Sequence, residues 1–238
     1  MVDYIQLASG LAGFGPAMTL LYYTLRDYTF PKVEKPFFDD KKLFAFFALG
    51  VVLGMIIFAF ENWGRPYSSP ETILVLIMGF AVMEELLKLI ILNFPRFQRK
   101  IDTAFYGLSM GLGISATLTF ATVYVFILNV GDVHVLEVVA VFFLGFLFVL
   151  LHGSTTALIG IGVARGDVKG YFMEALVIHI LFALLYESFF LVEVFQEPLN
   201  MFGLMGAAAI VVWSYQKVHR LSLPVLIQDA KRLMQKKN

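Results

Sequence analysis

The sequence predicts an all-α polytopic membrane bundle of about seven transmembrane helices, and three observations predict it. Of the 238 residues, 59% are hydrophobic and only 15% charged, against about 45–50% and 25% in soluble domains; the mean hydropathy is +0.80. The apolar residues fall in runs of about 20, the length a helix needs to cross a bilayer, separated by short polar breaks. Runs such as Leu43–Phe60 and Leu136–Leu151 lack the two-residue alternation of a membrane barrel strand.

The predicted spans are roughly 4–25, 43–61, 71–94, 102–129, 134–164, 170–195 and 199–217. Pro16 lies inside the first and is expected to kink it, whereas Pro66, Pro95 and Pro198 fall at boundaries, where proline is harmless. No basic residue precedes the first run, so it is expected to stay in the mature chain rather than act as a cleaved signal peptide. Asn62-Trp63-Gly64-Arg65-Pro66 and Asn129-Val130-Gly131-Asp132 close the second and fourth spans with turn chemistry. Gly107 and Gly111 in the fourth span, and Gly153 and Ala157 in the fifth, are expected to let helices pack closely. The seventh has no lysine before Lys217 at its end, which makes a retinal Schiff base implausible. Residues 1–218 thus form a transmembrane domain and 219–238 a basic amphipathic cytoplasmic tail. Leu226, Ala230, Leu233 and Met234 lie on one face of that tail, with Lys231, Arg232, Lys236 and Lys237 around it. It is expected as an interfacial helix on anionic lipid or, equally, as a frayed basic end.

Sixteen of the eighteen basic residues fall on one side of the bundle: in the loops holding Arg26 to Lys42, Arg96 to Lys100 and Arg165 to Lys169, and from Lys217 onward. The opposite loops contain only Arg65. This asymmetry predicts a multi-pass protein of the cell membrane with its N-terminus outside and its C-terminus cytoplasmic. Eighteen acidic residues balance the eighteen basic ones, leaving no electrostatic case for nucleic acid. The absence of cysteine excludes disulfides, thiolate metal sites and a cysteine nucleophile. The bilayer is the expected surroundings, and the oligomeric state is left open.

Ionisable groups inside a bilayer are expensive and tend to mark function. The third span carries Met83-Glu84-Glu85-Leu86-Leu87-Lys88, the fifth His152-Gly153-Ser154-Thr155-Thr156, and the sixth His179. At 1.5 Å per residue, Glu84, His152 and His179 each lie about 13–18 Å from the basic ends of their helices, in one layer. Lys88 follows Glu84 by four residues and Glu85 by three, so it can reach either carboxylate. One lysine balances one charge; the carboxylates are therefore expected to titrate jointly, with one able to serve as a general base. A structural Glu–Lys pair is the plainer alternative, and two histidines level with it favour chemistry.

Glu84-Glu85-x-x-Lys88, followed by a Gly-rich helix and two membrane histidines, resembles the PrsW family of intramembrane proteases, within the wider superfamily of CAAX prenyl proteases and Abi proteins. Tyr22-Tyr23 with Arg26-Asp27, Asp102 to Gly107 with Gly111-Leu112-Gly113, His152 to Gly160, and His179-Ile180-Leu181-Phe182 are similar to further family segments, in the same order over about the first 190 residues. The resemblance implies an intramembrane endopeptidase acting on a membrane-anchored protein. It makes Glu84 and Glu85 the water-activating carboxylates, with Lys88 as their partner. His152 would assist water activation or protonate the leaving amine, and His179 would hold the oxyanion. Glu84, Glu85, His152 and His179 are also candidate metal ligands: two histidines and a glutamate can hold zinc with an open position, and can equally run a metal-free mechanism.

Two positions depart from the family pattern. Leu118 stands where the second motif has a glutamate, and Ala183 where the fourth has an Asn or Asp. Ser115, Thr117 and Thr119 leave polarity near the first, and Glu187 lies further along the face of the second. The alternative function is therefore a catalytically weakened or inactive PrsW-like scaffold that binds other spans. A proton-linked transporter is a third reading, against which the chain shows no internal repeat.

Overall fold

Apolar runs too long for strands leave the backbone one way to satisfy its polar groups away from water, which is the helix. The computed structural model describes residues 2–34, 36–64, 69–130, 135–190 and 199–235, and every long regular element among them is helical. These are α1 (Val2–Leu25), α2 (Asp40–Gly64), α3 (Pro70–Leu92), α4 (Asp102–Val130), α5 (Val135–Arg165), α6 (Val168–Phe190), α7 (Leu199–Lys217) and α8 (Leu223–Gln235). Lys35, Arg65, Pro66, Gly131, Asp132, Pro198, Lys236 and Lys237 lie outside the described residues. Among the described residues, five segments are long and apolar enough to cross a membrane: Asp40–Trp63, Asp102–Asn129, Val139–Arg165, Val168–Glu187 and Met201–Arg232. This is the build of a transmembrane helical bundle. α1 and α3 fall outside that set. α3 does so because Glu84, Glu85 and Lys88 crowd its second half, and α1 because Gln6, Ser9 and three glycines dilute its apolar content.

Local chemistry sets the ends. Ser69 caps α3 by accepting from the Thr72 amide at 3.4 Å, and Asp39 does the same for α2 from the Lys42 amide at 3.1 Å. Gly166 takes the left-handed conformation (φ 80°) that ends α5. Pro16 sits within α1, whose helix runs unbroken across it.

α4 is the hub, packed against α1, α2 and α5, and every residue from Thr103 to Thr119 is buried. Glycines make the close approach. A Cβ on Gly111 would lie 2.1 Å from the His152 carbonyl oxygen, and one on Gly50 would lie 2.1 Å from that of Met110. Hydroxyls stitch the helices at those crossings: Ser109 donates to the Leu43 carbonyl (2.7 Å) and Thr119 to that of Gly145 (3.0 Å).

A five-residue π-helical turn, Val218–Ser222, carries α7 straight into α8. Leu223, Leu226, Ile227 and Ala230 of α8 are buried, and Asp229 pairs with Arg165 of α5 at 2.5 Å. The described part of the tail is therefore a docked helix rather than a frayed end, with Leu226 and Ala230 of its apolar face covered by the protein itself.

Candidate functional site

Three helices bring the predicted residues together. α3 supplies Glu84, Glu85 and Lys88, α5 supplies His152, and α6 supplies His179; none is more than 5% exposed. Backbone contact at Gly111 sets the depth of α5 against α4 and so holds His152 in place.

The two glutamates do different things. Glu85 Oε1 accepts from His179 Nδ1 at 2.6 Å and from Lys88 Nζ at 2.7 Å. Lys88 also contacts His152 Nδ1 at 3.1 Å and donates to Thr155 at 3.4 Å, which uses all three ammonium protons. Glu84 takes no hydrogen bond from Lys88. Its Oε2 is buried without a hydrogen-bond partner and lies 3.7 Å from His152 Nδ1. Glu61, near the end of α2, lines the same small cavity as Glu84.

An ammonium has only donors, so His152 accepts at Nδ1 and carries its proton on Nε2. Glu85 as a carboxylate only accepts, so His179 donates from Nδ1 and leaves its Nε2 lone pair open. The rings stand edge to face with centroids 5.3 Å apart, and Phe148 stacks on His152 at 6.3 Å. One imidazole is thereby set as a donor and the other as an acceptor.

Glu61, Glu84, His152 and His179 line one cavity of about 50 Å³, walled by Leu118, Phe148, Phe182 and Ala183 and bordered by Tyr186 and Glu187. A water needs about 10–15 Å³ of such space. A larger cavity of about 320 Å³, lined also by Asn62 and Thr122, shares Glu61, Phe148, Tyr186 and Glu187 with it. Among the described residues, neither is lined by a lysine or arginine. The larger one lies toward the α2 C-terminus, at the end of the bundle away from the basic loops.

Leu118 and Ala183 both face the small cavity, so the positions singled out in sequence converge on it without polar groups. The hydroxyls of Ser115, Thr117 and Thr119 do not replace them: they bond to the carbonyls of Leu112, Val51 and Gly145. Glu187 does reach the cavity. Glu61 was not singled out, because it sits where the second apolar run ends and reads as a boundary residue; its signal is a carboxylate directly following Phe60.

Glu84, His152 and His179 each offer a ligand atom within 4.8 Å of the others, a donor set of the kind zinc takes. Glu85 on His179 is the outer partner a zinc-bound imidazole has. Lys88 is not: while it donates to Nδ1 of His152, the proton on Nε2 blocks the remaining lone pair of that ring. The arrangement as it stands offers two lone-pair donors, Glu84 and His179, rather than three.

The fold and site define a membrane helix bundle with a buried carboxylate–imidazole centre. Comparison of the chain with family models, curated proteins and solved structures finds no match.

Proposed function

We propose that the protein is an intramembrane endopeptidase that hydrolyses a peptide bond of a membrane-anchored protein, with Glu84 activating water. One observation carries the reading: an unpartnered carboxylate oxygen of Glu84 shares a water-sized buried cavity with a donor and an acceptor imidazole. Glu84 takes a proton from water as the water oxygen attacks the peptide carbonyl carbon. Nε2–H of His152 donates to the developing oxyanion, the place for which Leu118 and Ala183 provide nothing. Nε2 of His179 accepts from the water and orients it. Glu84 then returns the proton to the leaving nitrogen as the C–N bond breaks, giving a carboxylate and an amine. Glu85 and Lys88 position the two rings.

The reading includes the resemblance to the PrsW family, which rests on the motifs alone, and a seven-span bundle in which α1 and α3 also cross the bilayer. Glu84, Glu85 and Lys88 of α3 are buried, whereas Val75, Met78, Leu86 and Ile90 lie on its exposed surface. Tyr4, Leu7, Leu11 and Met18 do the same for α1. Lipid requires such faces. The basic ends face the cytoplasm of a cell membrane, so the larger cavity opens toward the outer half.

A second reading, a scaffold that binds other spans without cutting, is favoured by the apolar Leu118 and Ala183 walls. Incubating detergent-solubilised membrane proteins with the purified chain and reading new N-termini by mass spectrometry separates the two. Cutting by the wild type and not by Glu84→Gln supports the protease. New termini absent with both proteins favour the scaffold.

A further inference from the structure

A second cavity, of about 270 Å³, lies at the basic end of the bundle between the start of α2, the 93–101 connection and the start of α4. Its lining divides by chemistry. Phe46, Phe97 and Tyr106 form an aromatic floor: Phe46 stacks on Tyr106 at 5.1 Å, and Phe97 meets Phe46 edge-on at 5.2 Å. Lys42, Arg96 and Lys100 line it as cations, and all three residues are exposed. Asp102 also lines it, and its Oδ1 is buried without a hydrogen-bond partner.

The connection that carries two of these cations is firmly built. Thr103 donates to the Phe97 carbonyl at 2.7 Å, Gln98 to that of Asn93 at 2.9 Å, and the Arg99 amide to the Val163 carbonyl at 3.1 Å. Arg99 is held at φ 56°, a conformation a non-glycine residue takes only under constraint from its surroundings. Arg96 lies 4.5 Å over the Phe97 ring. The cations are thus presented on an ordered segment, at the level where spanning helices leave the apolar layer.

We propose that this cavity binds an anionic phospholipid whose headgroup carries a hydroxyl, of the phosphatidylglycerol type. Three cations against one carboxylate favour a headgroup with net negative charge, and basic pockets between helices at the cytoplasmic surface are places where phosphate headgroups bind. Apolar walls under the cationic rim suit the glycerol and upper acyl carbons of a lipid, which a soluble phosphate lacks. The open acceptor on Asp102 matches a headgroup hydroxyl. None of this depends on the chemistry at Glu84.

The test titrates the purified full chain, in a neutral detergent, with phosphatidylglycerol, phosphatidylcholine or inorganic phosphate, and follows the thermal unfolding midpoint. Phosphatidylglycerol raises the midpoint of the wild type, and the other two do not. The combined Lys42→Gln, Arg96→Gln and Lys100→Gln variant binds it about 10²-fold more weakly, from about 5-fold per cation. The combined Lys169→Gln, Arg220→Gln and Arg232→Gln variant loses three cations outside the cavity and keeps the response. Lys100→Gln alone gives about a 5-fold loss on the same estimate, should the triple variant not fold. Equal losses in the two triple variants, or equal shifts with phosphatidylcholine, overturn the proposal. A full shift with phosphate alone overturns its lipid assignment.

Discussion

Glu85 on α3 accepts a 2.6 Å hydrogen bond from Nδ1 of His179 on α6, and the same oxygen takes the Lys88 ammonium at 2.7 Å. That bond separates two adjacent glutamates into different jobs, one holding the site together and the other facing its cavity.

The first consequence concerns stability. Glu85→Gln strips a fully buried lysine of its counter-charge, and breaking such a pair costs about 3–5 kcal/mol. Unfolding in detergent is expected to show that loss for Glu85→Gln and not for Glu84→Gln, whose Oε2 has no hydrogen-bond partner to lose. Adding Lys88→Met to Glu85→Gln removes the stranded charge and should return part of the stability. A Glu85→Gln protein as stable as the wild type rules out the holding role.

The contact of Gly111 with the His152 carbonyl gives a steric prediction. A methyl group there would sit 2.1 Å from backbone oxygen, so Gly111→Ala has to push α5 away from α4. Overpacking of this kind costs about 1–3 kcal/mol. It should also shift His152 out of the cavity, lowering the cutting rate more than stability. Unchanged unfolding and cutting would place the two helices further apart than they are here.

Metal dependence follows from Lys88. Because its ammonium occupies His152 Nδ1, the proposed hydrolysis runs without a third metal ligand. Treating the purified protein with a chelator is expected to leave cutting unchanged. Loss of activity restored by zinc would mean that Lys88 releases His152 in the working enzyme.

Outside the spans, Tyr28 offers a pH test. It packs edge-on against Phe105 at 5.1 Å, and burial pushes its phenol from 10.0 up to about 12. The neutral form is favoured in the folded chain, so this contribution to stability is complete below pH 10 and is lost as pH rises toward 12. Tyr28→Phe should therefore flatten the alkaline fall of the unfolding midpoint. An identical alkaline fall in both proteins contradicts the burial.

The helical architecture was legible because lipid-length apolar runs admit few solutions, and the ends of α4, α5 and α7 match their runs to within a residue or two. The layer of Glu84, His152 and His179 was legible for a related reason, since an ionisable group in such a run is costly and stands out. Partner choice was not. Spacing lets Lys88 reach both glutamates, and only the rotation of α3 against α6 assigns it to Glu85. Glu61 escaped notice because a carboxylate at the edge of a run looks solvated. Its place at the Glu84 cavity depends on where α2 ends in the fold, which no local pattern records. The docking of α8 was hidden in the same way: its amphipathic face fits lipid as well as the flank of α5.

The most direct measurement is the rate at which a single-span reporter is cut in proteoliposomes by the wild type and by Glu84→Gln, with thermal unfolding recorded for both. Water activation by Glu84 predicts cutting slower by about 10²–10⁴-fold in Glu84→Gln, in a protein that unfolds at the wild-type temperature. Cutting at the wild-type rate by Glu84→Gln contradicts it.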